Sequence, residues 1–285
     1  MKRRNGETAK RRGLDMKRTM TMTVSAVMLA ALILIAASAG LHAEESAAGP
    51  VVRIHYLGHA AFYLRFANGT TVLTDYGKSR AYGLDSPIYG IGMRTPDVAT
   101  ISHRHEDHFG GPLGKGVPFI LWGNKSLSLN GLDITPIPTY EQSLARPDNA
   151  SHLFVLAGRK VLHLADCQAL ITACDQPEVQ AKIRQLYPDV YDIVMLPIGF
   201  TSDILEPAAR FLEFLQARAV IPMHYWSPAD KPAFLERLKN RRRSDGKPYV
   251  IRAIDGAQWS PEATDLTDGA VLVVGLTPGS FDGWK

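Results

Sequence analysis

The chain has 285 residues, 46% of them hydrophobic and 21% charged, an ordinary globular composition that can bury a full core. Its formal charge of +4 and pI near 9.0 come from the first eighteen residues, where eight lysines and arginines stand against Glu7 and Asp15. The rest of the chain is mildly acidic, so composition gives no support for nucleic-acid binding by the folded part.

In chain order, the basic start is followed by an uncharged stretch, Thr19 to Ala43, with the apolar heart VSAVMLAALILIAA from Val24 to Ala37. Ala37-Ser38-Ala39 fits a small-x-small cleavage site, and Leu41-His42-Ala43 is a second candidate. Basic, apolar, small is the layout of a signal peptide, which predicts a periplasmic or secreted protein. The stretch is also close to the ~20 apolar residues that span a bilayer, so an uncleaved anchor facing outward is the alternative. Arg11-Arg12 has a poor continuation for a twin-arginine signal, and Met16 begins an equally good leader. Export would permit a disulfide between Cys167 and Cys174, with reduced thiols as the other reading. Residues 44–50 read as a solvated linker, and residues 51–285 as one domain without internal repeats.

Val51 to Leu57 and Ala60 to Phe66 alternate as strands, and Asn68-Gly69 turns into Thr71 to Thr74, giving a β-meander. Tyr76 to Thr95 is rich in Gly, Tyr, Pro and Ser with no periodicity. Long loops of that kind are usually functional, and Tyr76, Tyr82 and Tyr89 are candidates for a substrate entrance or for packing the loop down. Pro96 to Ile101 is a buried strand that delivers ISHRHEDHFGG, in which His103 to His108 packs three histidines and two carboxylates into fewer residues than two helical turns. His103 and His105, two apart, project to one side of an extended segment and can reach one cation. Asp107 and His108 are adjacent, so the chain must turn there. Imidazole and carboxylate together suit Zn, Fe or Mn better than Ca or Mg.

The run His103, His105, Asp107, His108 resembles the HxHxDH signature of the metallo-β-lactamase superfamily. Further pieces between Val52 and Tyr225 resemble the branch of Zn-dependent hydrolases that includes ascorbate-6-phosphate lactonase and N-acyl-phosphatidylethanolamine phospholipase D. The resemblance implies an α+β fold, the four-layer αββα sandwich, with its ligand loops along one edge of the paired sheets. LGHAAFYL matches the branch's opening motif, which makes His59 either an outer partner of the metals or a hydrogen-bonded core residue. Asp75 ends its strand where the branch has Asp-Pro, and the resemblance implies that it holds a ligand histidine by the free ring nitrogen. At Pro138-Thr139-Tyr140-Glu141 the sequence departs from the branch, because a histidine that ligates the first metal is replaced by Glu141. Three outcomes are open: Glu141 is the ligand, His152 moves in, or the first site is weak. KVLHLAD resembles an HLGD element whose aspartate, here Asp166, bridges the metals, with Ala165 in place of glycine. His163, an odd number of residues from Asp166, reads as packing or as an outer partner of the site. Met223-His224-Tyr225 resembles the PMHY element that supplies the last ligand of the second metal.

Helices are predicted at Asp175 to Leu186, from Pro207 through AARFLEFLQ, and at Lys231 to Asn240. The last ends in Lys239, Arg241, Arg242 and Arg243, either a solvated end that complements the helix dipole or a site for an anionic substrate. The resemblance implies a first metal on His103, His105 and Glu141, a second on Asp107, His108 and His224, and Asp166 between them. Zinc is the expected metal, with Mn or Fe as alternatives. A hydroxide generated there would attack an ester, lactone, amide or phosphodiester of a small molecule, with Asp107 orienting it and taking its proton. The rival reading is an exported metal-binding or ligand-sensing protein with a degenerate first site.

Overall fold

The computed structural model describes residues 50–284 except for 112, 114, 115 and 200–203, so the predicted leader and nearly all of the linker lie outside the described residues. Two mixed β-sheets face each other. The first has the order β13-β1-β2-β3-β4-β5 and the second β12-β14-β11-β10-β9-β8-β7-β6.

The first sheet begins as the expected meander: β1 (Val52–Gly58), β2 (Ala61–Phe66) and β3 (Thr71–Thr74), antiparallel in sequence, with Asn68-Gly69 at the second turn. β3 then pairs in parallel with β4 (Val98–Ile101), and β4 with β5 (Phe119–Trp122). Period-2 alternation divides the meander's side chains. Ile54, Tyr56, Phe62, Leu64 and Val72 enter the main core between the sheets, whereas Leu57, Ala61, Tyr63 and Leu73 form a second cluster with Tyr76, Ile91 and Phe281.

The second sheet opens with antiparallel strands β6 (Leu127–Leu129), β7 (Leu132–Thr139), β8 (Asn149–Leu156) and β9 (Arg159–His163). It becomes parallel through β10 (Val190–Pro197), β11 (Gln216–Met223), β14 (Val271–Gly275) and β12 (Tyr249–Ala253), while β13 (Gln258–Trp259) returns to pair with β1. β10 is buried along its whole length apart from Val190, as a parallel strand covered on both faces must be.

Among the described residues every α-helix follows β9: α1 (Gln168–Thr172), α2 (Pro177–Leu186), α3 (Leu205–Phe211) and α4 (Asp230–Lys239). The parallel crossovers step in one direction across the sheet, and their common right-handedness puts these helices on one face. On the other side of the sandwich the outer position is filled by the loop around Tyr76 and Ile91 and by the tail around Phe281 and Trp284. A stretch broken by Gly and Pro cannot hold a helix, so this layer is irregular. α3 begins two residues ahead of Pro207, which the first turn tolerates, and ends earlier than its apolar stripe predicts. Short elements β6, β13 and α1 are too brief to leave a periodic pattern.

The basic run near 240 is spent on structure. Arg237 and Arg241 pair with Glu206, and Arg243, 8% exposed, donates to the carbonyls of Leu212 and Leu215 beyond α3. These contacts leave the anion-binding reading of this run without support. Both cysteines are unpaired thiols buried in the main core.

Replacing Arg243 with methionine should strand two buried carbonyls and lower the unfolding free energy by about 2–4 kcal/mol. Urea denaturation should show this with metal content unchanged.

Candidate metal centre

Every residue of interest sits just beyond the carboxyl end of a strand. His59 follows β1, Asp75 follows β3, the His103 to His108 run follows β4, Glu141 follows β7, Asp166 follows β9 and His224 follows β11. Four of these turns use the left-handed region: His59 (φ 54°), Asp75 (φ 33°), Ala165 (φ 54°) and His224 (φ 51°). Such conformations cost of order 1–2 kcal/mol for a residue with a Cβ, and they gather where a site demands them. They reverse each chain sharply enough to aim the side chain along the sheet edge.

Two glycines beside the site permit close backbone approaches. A Cβ on Gly77 would lie 2.0 Å from the carbonyl carbon and oxygen of Asp107, and one on Gly199 would lie 2.5 Å from the Cα of Tyr225. Gly77 bridges Gly110, while Lys78 N–H donates to Glu106 O and Gly111 N–H to Tyr76 O, so the start of the long loop is stitched to the histidine run.

Asp75, wholly buried, organises the interior of the site. Its carboxylate accepts from Ser102 N–H (2.8 Å), Ser102 Oγ–H (2.7 Å) and His108 Nδ1–H (2.9 Å). Burial pushes the carboxyl upward, but the charge and hydrogen bond of His108 win and hold it well below the ordinary range. Because the Ser102 hydroxyl gives its only proton to Asp75, its oxygen accepts from His103 Nδ1–H at 2.9 Å. His224 Nδ1–H donates to Gly199 O at 2.9 Å. In this network His103, His108 and His224 all turn Nε2 toward the centre.

There the ligand atoms converge. One group is His103, His105 and Glu141, with Glu141 Oε2 3.3 Å from His103 Nε2 and Oε1 3.0 Å from His105 Nδ1. A second is Asp107, His108 and His224, joined by His59, whose Nε2–H donates to Asp107 Oδ2 at 2.9 Å. Asp166 groups with His103 and His108, and its Oδ2 lies 3.7 Å from His224 Nε2. Thus all seven residues expected around the metals are brought to one place. His152, the alternative to Glu141, is outside these groups: it lies in β8 opposite His163. His163 donates to Ala60 O at 2.9 Å.

The donor set fits cations. His108 Nε2 and His224 Nε2 face each other at 3.0 Å with both Nδ1 atoms already donating, an arrangement that needs a positive charge between or beside the two lone pairs. In the metal-free chain a proton answers: burial opposes it, but Asp75 and Asp107 raise the His108 pKa to about 9. His103 Nε2, Asp107 Oδ1 and Asp166 Oδ1 are buried without a hydrogen-bond partner among the described residues. Unsatisfied buried groups of this kind are rare unless an ion or water serves them. Burial pushes the Asp166 carboxyl far up and that of Glu141 up to about 7, the latter against the opposing charge of His108, so neither is comfortable as a lone anion.

The site opens on the side of His105, whose side chain is 37% exposed beside 10% for Glu141. Tyr82 packs its ring edge near His105 and its hydroxyl accepts from Glu106 N–H, whereas Tyr76 is buried in the second cluster. From Glu141 a cleft of about 300 Å³ runs between the 141–144 turn and α1, lined by Gln142, Ser143, Gln168 and Thr172. A larger cavity of about 520 Å³ lies at the opposite end of the second sheet, by Val190 and Gln216. Its Arg218 and Lys247 are paired with Asp192, Asp268 and Asp245, and it contains none of the clustered donors. Ser102, Gly199 and Asp148 were not singled out from sequence. Nothing in local pattern marks a serine or carbonyl whose partner is distant.

A family model described as a beta-lactamase superfamily domain matches residues 53–224. A Pyrococcus abyssi protein named as a metal-dependent hydrolase is 26% identical over 232 residues, covering 68% of this chain and 95% of its own length. One of that name from Pyrococcus furiosus is 25% identical over 215 residues, covering 62% and 87%. Among solved structures, a Thermotoga maritima protein described as a Zn-dependent hydrolase of the metallo-beta-lactamase superfamily has a TM-score of 0.54 at 24% identity. That match covers 79% of this chain and 100% of the other. A Parabacteroides distasonis protein described as a metal-dependent hydrolase has a TM-score of 0.51 at 18% identity, covering 70% and 91%. Both share the fold.

Asp75→Asn should weaken metal binding by about 10–100-fold, because it loosens His108 and, through Ser102, His103. Titration of the metal-free protein with a divalent ion reads this directly. A second outcome concerns His152, buried with neither ring nitrogen hydrogen-bonded among the described residues and its pKa lowered to about 4 from 6.5, chiefly by burial. Between those values the unfolded chain binds a proton that the folded chain refuses, so this residue's contribution is intact above 6.5 and lost as pH falls toward 4. Metal-free His152→Leu should therefore gain on the wild type by about 2 kcal/mol between about pH 7 and about pH 5 in denaturant titrations.

Proposed function

The chain belongs to the beta-lactamase superfamily and is a metal-dependent hydrolase, and from this premise we propose that it works with two first-row divalent ions on a small-molecule ester, lactone, amide or phosphodiester. The supporting observation is the convergence of His103, His105 and Glu141 with Asp107, His108 and His224 about Asp166. Their strands come from both sheets, so the grouping belongs to the fold and to no local run.

His103, His105 and Glu141 would hold one ion, Asp107, His108 and His224 the other, and Asp166 would lie between. Bound there, the ions supply Lewis acidity to a carbonyl or phosphoryl oxygen and bring the pKa of a water toward ~7. The protein's own groups do the rest. Asp107 is anionic, because His59, His108 and His224 outweigh the upward push of burial. Its Oδ2 is held by His59 while Oδ1 carries no hydrogen bond among the described residues, so Oδ1 can orient an attacking water and take its proton. His59 is thereby a positioning residue. A substrate reaches the centre past His105, and the cleft beyond Glu141 offers amides and hydroxyls without a cation, which favours an uncharged polar portion there.

The layout of the first 43 residues supports export to the periplasm or outside the cell, with a retained outward-facing anchor as the second arrangement.

The test pairs metal analysis with turnover. The wild type should bind two equivalents and cleave a nitrophenyl ester or bis-phosphodiester. Chelation should abolish cleavage, and His224→Ala should lower kcat/KM by about 100-fold or more. One equivalent of metal with no cleavage of any of these bond types would instead mark a non-catalytic metal-binding protein.

A further inference from the structure

Among the ligand positions, the one that separates this chain from the branch it resembles is Glu141, and the structure shows it to be built in. Its N–H and that of Gln142 donate to the Asp148 carboxylate at 2.7 and 3.2 Å. Asp148 N–H in turn donates to Thr139 O, and Asn149 Nδ2–H to Thr139 Oγ1. The turn after β7 is thus closed on itself, and both oxygens of Glu141, 9% exposed, face His103 and His105. The alternative histidine, His152, belongs to no ligand group among the described residues.

This changes the donor balance of the whole centre. A histidine here would give five imidazoles and two carboxylates, with three nitrogens around the first ion, a set that suits zinc. With His59 taken up by Asp107, Glu141 gives four imidazoles and three carboxylates: His103, His105 and Glu141 would serve one ion, Asp107, His108 and His224 the other, and Asp166, grouped with His103 and His108, would be shared. Two-histidine, one-carboxylate sets are the type that holds non-haem iron, and added carboxylate oxygen moves preference toward manganese and iron. The third carboxylate also offsets one more unit of the cations' charge.

Resting on the two-ion reading above, we propose that Glu141 sets the metal selectivity of this centre, shifting it from zinc toward a harder cation, manganese(II) or iron(II). Zinc binds most N/O sites more tightly than either in absolute terms. The inference therefore concerns the ratio, and the comparison is with the chain carrying histidine.

Metal-stripped full-length protein is equilibrated with equal concentrations of manganese(II) and zinc(II), and bound metal is counted by mass spectrometry. No turnover enters the measurement. The Mn:Zn ratio of the wild type should exceed that of Glu141→His by about tenfold or more, with Glu141→Asp staying near the wild type. Should Glu141→His fail to fold, Glu141→Gln, which keeps the shape and removes the charge, should show the same fall. Equal ratios, within about twofold, in the wild type and the folded variant would overturn the inference and leave the hydrolase reading standing. A wild type that takes up neither metal would overturn both. A Glu141-dependent ratio in a protein that cleaves nothing would uphold selectivity and sink the hydrolase.

Discussion

The constraint on which the site depends is the burial of four carboxylates, Asp75, Asp107, Glu141 and Asp166, within one rim of imidazoles. Anions so close and so dry require compensation, and each finds a different part of it. Asp75 is answered entirely by the protein, through two contacts from Ser102 and one from His108. Asp107 is answered in part, through His59. Asp166 and Glu141 have little besides neighbouring imidazoles, and their carboxyls are driven upward. The gradient runs from a satisfied acid at the back to unsatisfied acids at the front, which is the polarity expected of a receptacle for positive charge.

The fold makes this gradient by ending its strands at a common edge. Parallel pairs β3–β4, β9–β10 and β10–β11 bring carboxyl ends side by side, and loops outside those ends are where open α/β sheets collect ligands. The left-handed turns at His59, Asp75, Ala165 and His224 then point side chains inward. Ala165 shows the tension clearly. The related element carries glycine where this chain places a residue with a Cβ at φ 54°, so the turn is kept although the side chain opposes it.

Much of the architecture was legible because it is written in period 2 and in turns. The meander, the buried strand around 98–101, and the helices near 177 and 230 leave patterns that local physics can read. The compact His103 to His108 run announces chemistry by density alone. Glu141, Asp166 and His224 came into view only through the resemblance, since a single acid or imidazole after a strand has no signature of its own. What was not legible shares one cause. Ser102, Gly199 and Asp148 act through partners up to dozens of residues away, and the choice between Glu141 and His152 turned on which strand end reaches the rim. The irregular cover over the first sheet was hidden for a related reason, because a tail folding back onto Tyr63 has no pattern until the sheet exists.

One backbone contact carries a temporal implication. His224 N–H donates to the carbonyl of His59 at 2.8 Å, fastening the two ends of the cluster directly to each other. Since a nascent chain emerges amino end first, His59 and the run after β4 must wait for the strands through β11 before that clasp can shut. Closure joins residues 165 positions apart, so gathering so long a loop carries an entropic cost that local turns do not. Until that contact closes, His224 and the His103 to His108 run are not held at one rim, so the complete donor set exists only in the folded domain.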